Sequence, residues 1–483
     1  MIETKSTTDQ KRYLGFRHRV KMRIVDGEPT EPLPSEVVVL NNSGERIASY
    51  KLESEQAELD FINGIFPAKY RTPAADEDIS NVEKRQIIWR PAREEDMFVQ
   101  RHASQCVYKE RRAKKGEPAL PPELIEVAKE VPCEWTGLKP NDQLAMSLGG
   151  SGDYFALAAS NKLHSMGGEV YRIPPFKLQN HRGTEPKDKD AELLAQVLFL
   201  KPDDFYPTVV RDKQIIMVRE TFKIRMDAMK DRMACAQRLR QRLIGNVFCS
   251  TEGGFPDGDI EKRFEELKAN DPIYTAVLAQ EERALKAMSE AVEQTDVWQK
   301  LFADLPGVGP AIAARLISTI MDIRRFETAA KLKKFLGVHV LPDGTFPRRR
   351  NGVVANWSPD GRQALYLLQD QFVKKPKSEW GMKVTAYKAK FRQRHPGVCV
   401  QSSEYGLVSI GPSPQPKRKE YKTKHPTTGE EITVTGAQRY GDGHIHKMAV
   451  WRALTKFVEW LHREWWKLES GAKKTKLPTE AAA

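Results

Sequence analysis

Three aspartates and one glycine hairpin are the residues of this chain whose type and spacing could do chemistry on a phosphodiester. Asp26 closes Val20–Val25, a basic-apolar segment that reads as a strand. Asp188 and Asp190 open a helical segment, Asp188–Leu200. Carboxylates gathered at one sheet edge can hold two divalent ions about 3.5–4 Å apart and drive phosphodiester cleavage. Taken singly each is ordinary, because an aspartate at a helix start also serves as an N-cap. The hairpin is Leu305-Pro306-Gly307-Val308-Gly309-Pro310, followed by the alanine-rich Ala311–Leu316. Two glycines permit a tight turn just before a helix, whose first amides can then approach a phosphate closely. That is the hairpin of a helix-hairpin-helix, which grips backbone and reads no sequence. The competing reading is a plain helix–helix turn.

Cations follow the hairpin. Gly307, Gly309, Arg324, Arg325, Lys331, Lys333, Lys334, Arg348, Arg349 and Arg350 are the candidate nucleic-acid contacts. The whole chain of 483 residues carries a net charge of +13, which favours a polyanionic partner, DNA or RNA. His444 and His446 are too few for a zinc site and suit phosphate contact or capping. The five cysteines are scattered without a CxxC pair, which argues against a disulfide framework or a zinc ribbon. A hydrophobic fraction of 40% supports real cores. No apolar run approaches the roughly 20 residues of a membrane span, and Met1–Lys21 lacks a signal-peptide core. The expectation is a cytoplasmic, nucleoid-associated protein with no membrane partner.

The elements that must position these residues can be read from pattern. Strands are expected at Val20–Val25, Glu36–Leu40 and Arg46–Leu52, with a helix over Glu55–Gly64. Residues 70–140 read as an insertion of helices and loops. Gln143–Leu148, Asp153–Met166 and Glu169–Ile173 make a βαβ unit. This opening is that of an α/β RNase H-like domain. A long helix, Asp212–Phe248, shows a heptad seam through Phe222, Met226, Met229, Met233 and Ala236. With Ile260–Leu301 it forms a helical arm or dimerising coiled coil. Helices then follow at Pro310–Ile320, Thr328–Leu336, Asp360–Phe372, Lys383–Arg394 and His444–Leu468. Strand-like pieces, Leu407–Ile410 and Glu431–Thr435, fall in an insertion at about 395–443. The organisation expected is 1–205 α/β with an insertion at about 65–140, 206–303 arm, 304–470 mostly α C-terminal domain and 471–483 disordered tail.

In this order the residues resemble the DEDD-type insertion-sequence transposases of the IS-one-ten family, kin of the Piv DNA invertases. The stretches that carry the likeness are Gly152-Asp153-Tyr154 through Gly168-Glu169-Val170 to Ile173-Pro174-Pro175, and Lys187 to Ala195. Leu305–Leu336 with Asp322-Ile323-Arg324-Arg325-Phe326, and Gly443–Lys456, are the more specific part. The resemblance implies an RNase H-like (RuvC-like) domain with four metal-binding acids and Mg²⁺. It also implies a C-terminal domain with a helix-hairpin-helix and a nucleophilic serine, and a bridge-type guide RNA pairing with donor and target DNA.

Carried over residue by residue, Asp26 fits the first acid and Asp190 the last. The second acid position is Gly149, with Asp153 a nearby substitute; the third is Lys187, with Asp188 beside it. The serine position falls on Asp343, and Thr345 is the hydroxyl two residues on, which would need activation by a base or metal. The function expected is metal-dependent DNA strand cleavage and transfer, in a bacterial or archaeal host, by a homo-oligomer joined through the arm. Two other readings stay open. One is a catalytically degenerate relative that binds nucleic acid, favoured by a lysine inside a two-metal site. The other is a Holliday-junction type nuclease, disfavoured by the C-terminal likeness.

Overall fold

The computed structural model describes residues 11–20, 24–25, 28–29, 31–70, 88–91, 130–150, 152–208, 210–250, 259–341, 346–348 and 355–470. The chain divides into two compact units, Met1–Thr208 and Val209–Ala483.

The first unit is organised around β1, Tyr13–Arg17, and not around the segment that the sequence pattern favoured. Leu14 and Phe16 point to one face of the sheet, where Phe16 stacks on Phe155 with ring centroids 3.8 Å apart. Tyr13 and Gly15 point to the other. The reason that β1 is hard to see is its shortness and its flanks, Lys11-Arg12 and Arg17-His18-Arg19. β2 (Ile24–Val25) and β3 (Glu28–Pro29), from the segment expected to be the first strand, pair only with each other. Asp26 lies outside the described residues.

β4 (Ser35–Leu40) and β5 (Arg46–Leu52) continue from β1 as an antiparallel meander. α1 (Glu55–Asn63) starts at an N-cap serine, Ser54, and stops at Gly64 in a left-handed conformation, φ 77°. The insertion read as helices and loops supplies strands where it is described: β6 (Phe66–Tyr70), β7 (Ile88–Pro91) and β8 (Glu130–Thr136), with β8 antiparallel to both others.

Next come β9 (Gln143–Ser147), α2 (Asp153–His164) and β10 (Glu169–Ile173), the expected βαβ unit. β9 runs parallel to β1 and β10 parallel to β9. α3 (Pro175–Arg182), a 3₁₀ turn at Lys187–Lys189, α4 (Asp190–Leu200) and a short strand β11 (Tyr206–Pro207) complete the unit. Among the described residues the sheet runs β11-β10-β9-β1-β4-β5, mixed parallel and antiparallel. α4 lies directly on β1: a Cβ added to Gly15 would stand 1.9 Å from the Ala191 carbonyl oxygen. Only glycine admits the helix at that distance.

The second unit begins with α5 (Val210–Phe248), α6 (Ile260–Asn270) and α7 (Pro272–Glu293), broken at Asp271-Pro272 as the sequence suggested. α5 and α7 pack antiparallel through Leu239, Tyr274 and Leu278, with Phe264 of α6. The seam is not the heptad expected, since Met233 is 52% exposed while Arg225 and Arg232 reach across to Glu281.

A single π-helical turn, Trp298–Phe302, leads into the hairpin and then α8 (Pro310–Ile320). α9 (Ala329–Phe335) follows, capped by Thr328, then α10 (Pro359–Lys374) capped by Ser358 and α11 (Glu379–Arg394) capped by Ser378.

The later insertion is a small β-module with its own core of Val400, Val408, Tyr421 and Val434. Its strands are β12 (Gly397–Ser402), β13 (Gly406–Pro412), β14 (Glu420–Lys424), β15 (Glu431–Thr435) and β16 (Ala437–Arg439). The final helix α12 (Asp442–Ser470) buries Trp451, Phe457, Leu461 and Trp465 along one stripe.

Candidate nucleic-acid interface

A cleft of about 1700 Å³ opens in the second unit between α10, the start of α12 and the β-module. One helix face supplies much of it. Lys447, Trp451 and Thr455 recur at intervals of four on α12, and Arg452 sits beside them. α10 adds Arg362, Tyr366 and Lys374, and the module adds Lys417 and Arg439. Against these cations stand the carboxylates of Asp370 and Asp442. His339 and His444 also line the cleft; burial and neighbouring cations hold both below the usual histidine range.

Arg362 is the anchor of this wall. Its guanidinium lies over Trp357, Tyr366 and Trp451, with centroid distances of 4.6, 5.4 and 5.6 Å. Its Nε donates to the Tyr366 hydroxyl at 2.9 Å and its Nη1 to the Pro347 carbonyl. Phe346 packs on Trp451 at 4.0 Å. Residues 346–348 are thereby tied to α10 and α12 immediately after Asp343 and Thr345, which lie outside the described residues.

Residues 299–373, which include the hairpin, α8, α9 and most of α10, match the family described as Transposase IS116/IS110/IS902. That stretch is similar to the IS110-type transposases. No curated protein matches it.

Within the matching stretch the hairpin glycines differ in surroundings. Gly307 has φ +94° and packs on Gln371 of α10. Gly309 is the N-cap of α8, and a Cβ added there would meet nothing within 4 Å. The cations beyond the hairpin divide likewise. Arg324 is buried, its Nε 3.0 Å from Asp322. Burial alone would raise the Asp322 carboxyl, but Arg324 and Arg211 overcome it and hold Asp322 below the usual carboxylate range. Arg325 donates to the Ile320 carbonyl at 2.8 Å and stacks on Phe326 and Phe335. Lys331 pairs with Glu327, and Lys333 with Glu459 at 2.9 Å. Lys334 and Arg348 are exposed, and Arg348 lines the cleft. Arg349 and Arg350 lie outside the described residues.

The acids nominated for a metal site belong to the first unit. Asp153 heads α2 and is 1% exposed, held by Arg172 of β10. Asp190 heads α4 and takes two parallel bonds of 2.7 Å from Arg182. Asp188 is exposed, and its Oδ1 accepts the Lys189 amide at 3.0 Å. Among the described residues no three His, Cys, Asp or Glu side chains converge as metal ligands. Asp153 and Asp190 therefore do not fit the Mg²⁺ that the resemblance implies, because their oxygens already carry guanidinium bonds.

Sequence reasoning singled out His444 and His446 of α12, which line the cleft, and missed the cleft residues of α10 and the module and the others on α12. The i, i+4 spacing of Lys447, Trp451 and Thr455 was a usable signal. The arginines that grip Asp153 and Asp190 left none, since Arg172 is 19 residues from its partner.

Proposed function

We propose that this chain is a DNA transposase or site-specific recombinase that holds nucleic acid in the cleft of its second unit. The observation that carries the reading is the cleft itself: lysine and arginine beside the exposed ring of Tyr366, walled in part by the segment that matches the transposase family. Cations neutralise phosphates and aromatic faces accept bases, a combination suited to nucleic acid. The organisation proposed is an RNase H-like unit, an arm that joins copies into an oligomer, and a C-terminal helix-hairpin-helix domain. The order β5-β4-β1-β9-β10, a meander with two parallel strands beyond it, supports the first. The open space at Gly309 supports a backbone grip at the hairpin. The partners are DNA and a bridge-type guide RNA, both of which present the same phosphates to this surface. Among the described residues no helix is long and apolar enough to cross a membrane.

A second reading, a relative that binds without cutting, is favoured by one observation: Asp153 and Asp190 are each occupied by an arginine.

The test is binding to duplex DNA and to co-purified RNA across a salt series. Lys447→Ala with Arg452→Ala should weaken binding across sequences and flatten the logarithmic salt slope by about two, one for each phosphate no longer neutralised. An unchanged slope removes the cleft from the interface. Cleavage of a DNA junction in Mg²⁺ then separates the two readings.

A further inference from the structure

We infer that the sheet edge of the first unit is closed to divalent cations, because Glu58, Asp153 and Asp190, the buried acids in the first turns of the helices that start there, are each held by a guanidinium. The edge is defined by chain direction. β1, β9 and β10 are parallel and β5 runs the same way, so the starts of α1 and α2 follow their C-terminal ends. α4 runs back along β1, with Phe199 against Tyr13 and Ala191 against Gly15, which brings its start to the same edge.

At that edge the three buried acids are engaged, and Asp188 stands exposed with only the Lys189 amide on its Oδ1. Glu58 of α1 is bonded by Arg19 at 2.9 Å and by the Ser35 hydroxyl at 2.6 Å. Asp153 of α2 is bonded by Arg172, which is itself 4% exposed. Asp190 of α4 is gripped at both oxygens by Arg182. Arg17, at the end of β1, adds a further buried cation; its Nη2 reaches Glu36 at 3.3 Å, while Nε and Nη1 are buried without a hydrogen-bond partner among the described residues. Strand alternation puts Arg17 on the face of Gly15, the one α4 covers, two residues nearer the helix start.

A divalent cation needs carboxylate oxygens with free lone pairs and a net negative field. Here guanidinium bonds sit on oxygens of all three carboxylates and neutralise their charge, and those arginines would face any incoming ion. The pairs instead tie successive segments together: β1 to α1, β10 to α2, and α3 to α4. This inference does not rest on the cleft of the second unit.

The experiment uses the full chain loaded with Fe²⁺, ascorbate and peroxide, so that a bound ion cuts the backbone beside it. The result expected is no cutting within 147–153 or 187–190. Cutting in either stretch overturns the inference. A second measurement counts bound Mn²⁺ by electron paramagnetic resonance in the wild type, Asp153→Asn and Asp190→Asn, each checked by circular dichroism for a native spectrum. The affinity and number of bound Mn²⁺ should change by less than twofold. A site lost in a natively folded variant overturns the inference, and the wild-type cutting pattern decides the matter where a variant does not fold.

Discussion

The Nε2–H of His462, in α12, donates to the backbone carbonyl of Phe326 across 2.9 Å. A carbonyl can only accept, so the ring proton sits on Nε2 and the neutral tautomer is fixed. The bond pins the last helix to the turn between α8 and α9, inside the segment that matches the transposase family.

Burial pushes His462 below the usual histidine range, and the bond to Phe326 only partly restores it. The unfolded chain therefore binds a proton at higher pH than the folded one. Stability from this site is full above about pH 6.5 and is lost as pH falls from there towards the lowered folded value. Urea unfolding at pH 7 and pH 5 should show a smaller acid loss in His462→Gln than in the wild type. Equal losses would remove His462 from the acid response.

Arg362 combines three aromatic contacts with bonds to Tyr366 and the Pro347 carbonyl. Lysine keeps the charge but has neither the planar fork nor the stacking. Arg362→Lys should cost about 1–3 kcal/mol in urea unfolding, by loss of a charged hydrogen bond and a partly desolvated cation–π contact. A variant as stable as the wild type would show that the cage contributes nothing.

Two glycines give opposite expectations. Gly15→Ala drives a methyl into the Ala191 carbonyl and should destabilise by at least the upper end of the roughly 1–3 kcal/mol seen for overpacking. Gly309→Ala meets nothing within 4 Å and should leave stability within about 0.5 kcal/mol. If the hairpin grips a phosphate, DNA affinity falls about ten- to hundredfold in Gly309→Ala, as the added methyl keeps the phosphate from one charge-assisted hydrogen bond. Full affinity in that variant would exclude the grip.

Lys333 and Lys334 are neighbours with different roles. Lys333 is 2.9 Å from Glu459, whose carboxyl is held below its usual range by Lys456 and Lys333 against the opposing effect of burial. Lys334 is exposed. Lys334→Ala should flatten the salt slope of DNA binding by about one unit with stability unchanged. Lys333→Ala should change stability by up to about 1 kcal/mol, as a partly exposed pair does, and shift the slope less. The reverse ranking would reassign the two lysines.

Much of the fold was legible because local signals agreed with tertiary ones. β5, β10, β15 and α8 lie where alternation, caps and apolar period place them, and the Asn270-Asp271-Pro272 break falls between α6 and α7. β1 was not legible. It is five residues long, carries a glycine and is flanked by arginines, so its burial is set by α4 arriving from far along the chain. The turn between α3 and α4 hid one acid–arginine pair: Asp190 looks like a ligand in its own segment and becomes a structural partner only when that turn places Arg182 beside it. The basic balance was visible in the sequence, but which lysines and arginines face the cleft depends on the meeting of α10, α12 and the module.

The β-module leaves the helical body after α11 and returns just before α12. His395 and Tyr440 stand at its two ends with their rings stacked, centroids 3.8 Å apart and planes 1° from parallel. Arg392 and Asp442 clasp the same junction at 3.1 Å. An excursion that begins and ends at one point leaves the register of α11 and α12 indifferent to its length. Closing a shorter loop there costs little, because loop entropy grows only with the logarithm of length. The module is thus a part that descent can lengthen, trim or exchange without redrawing the helices that carry it, and one wall of the cleft can diversify while the other stays fixed.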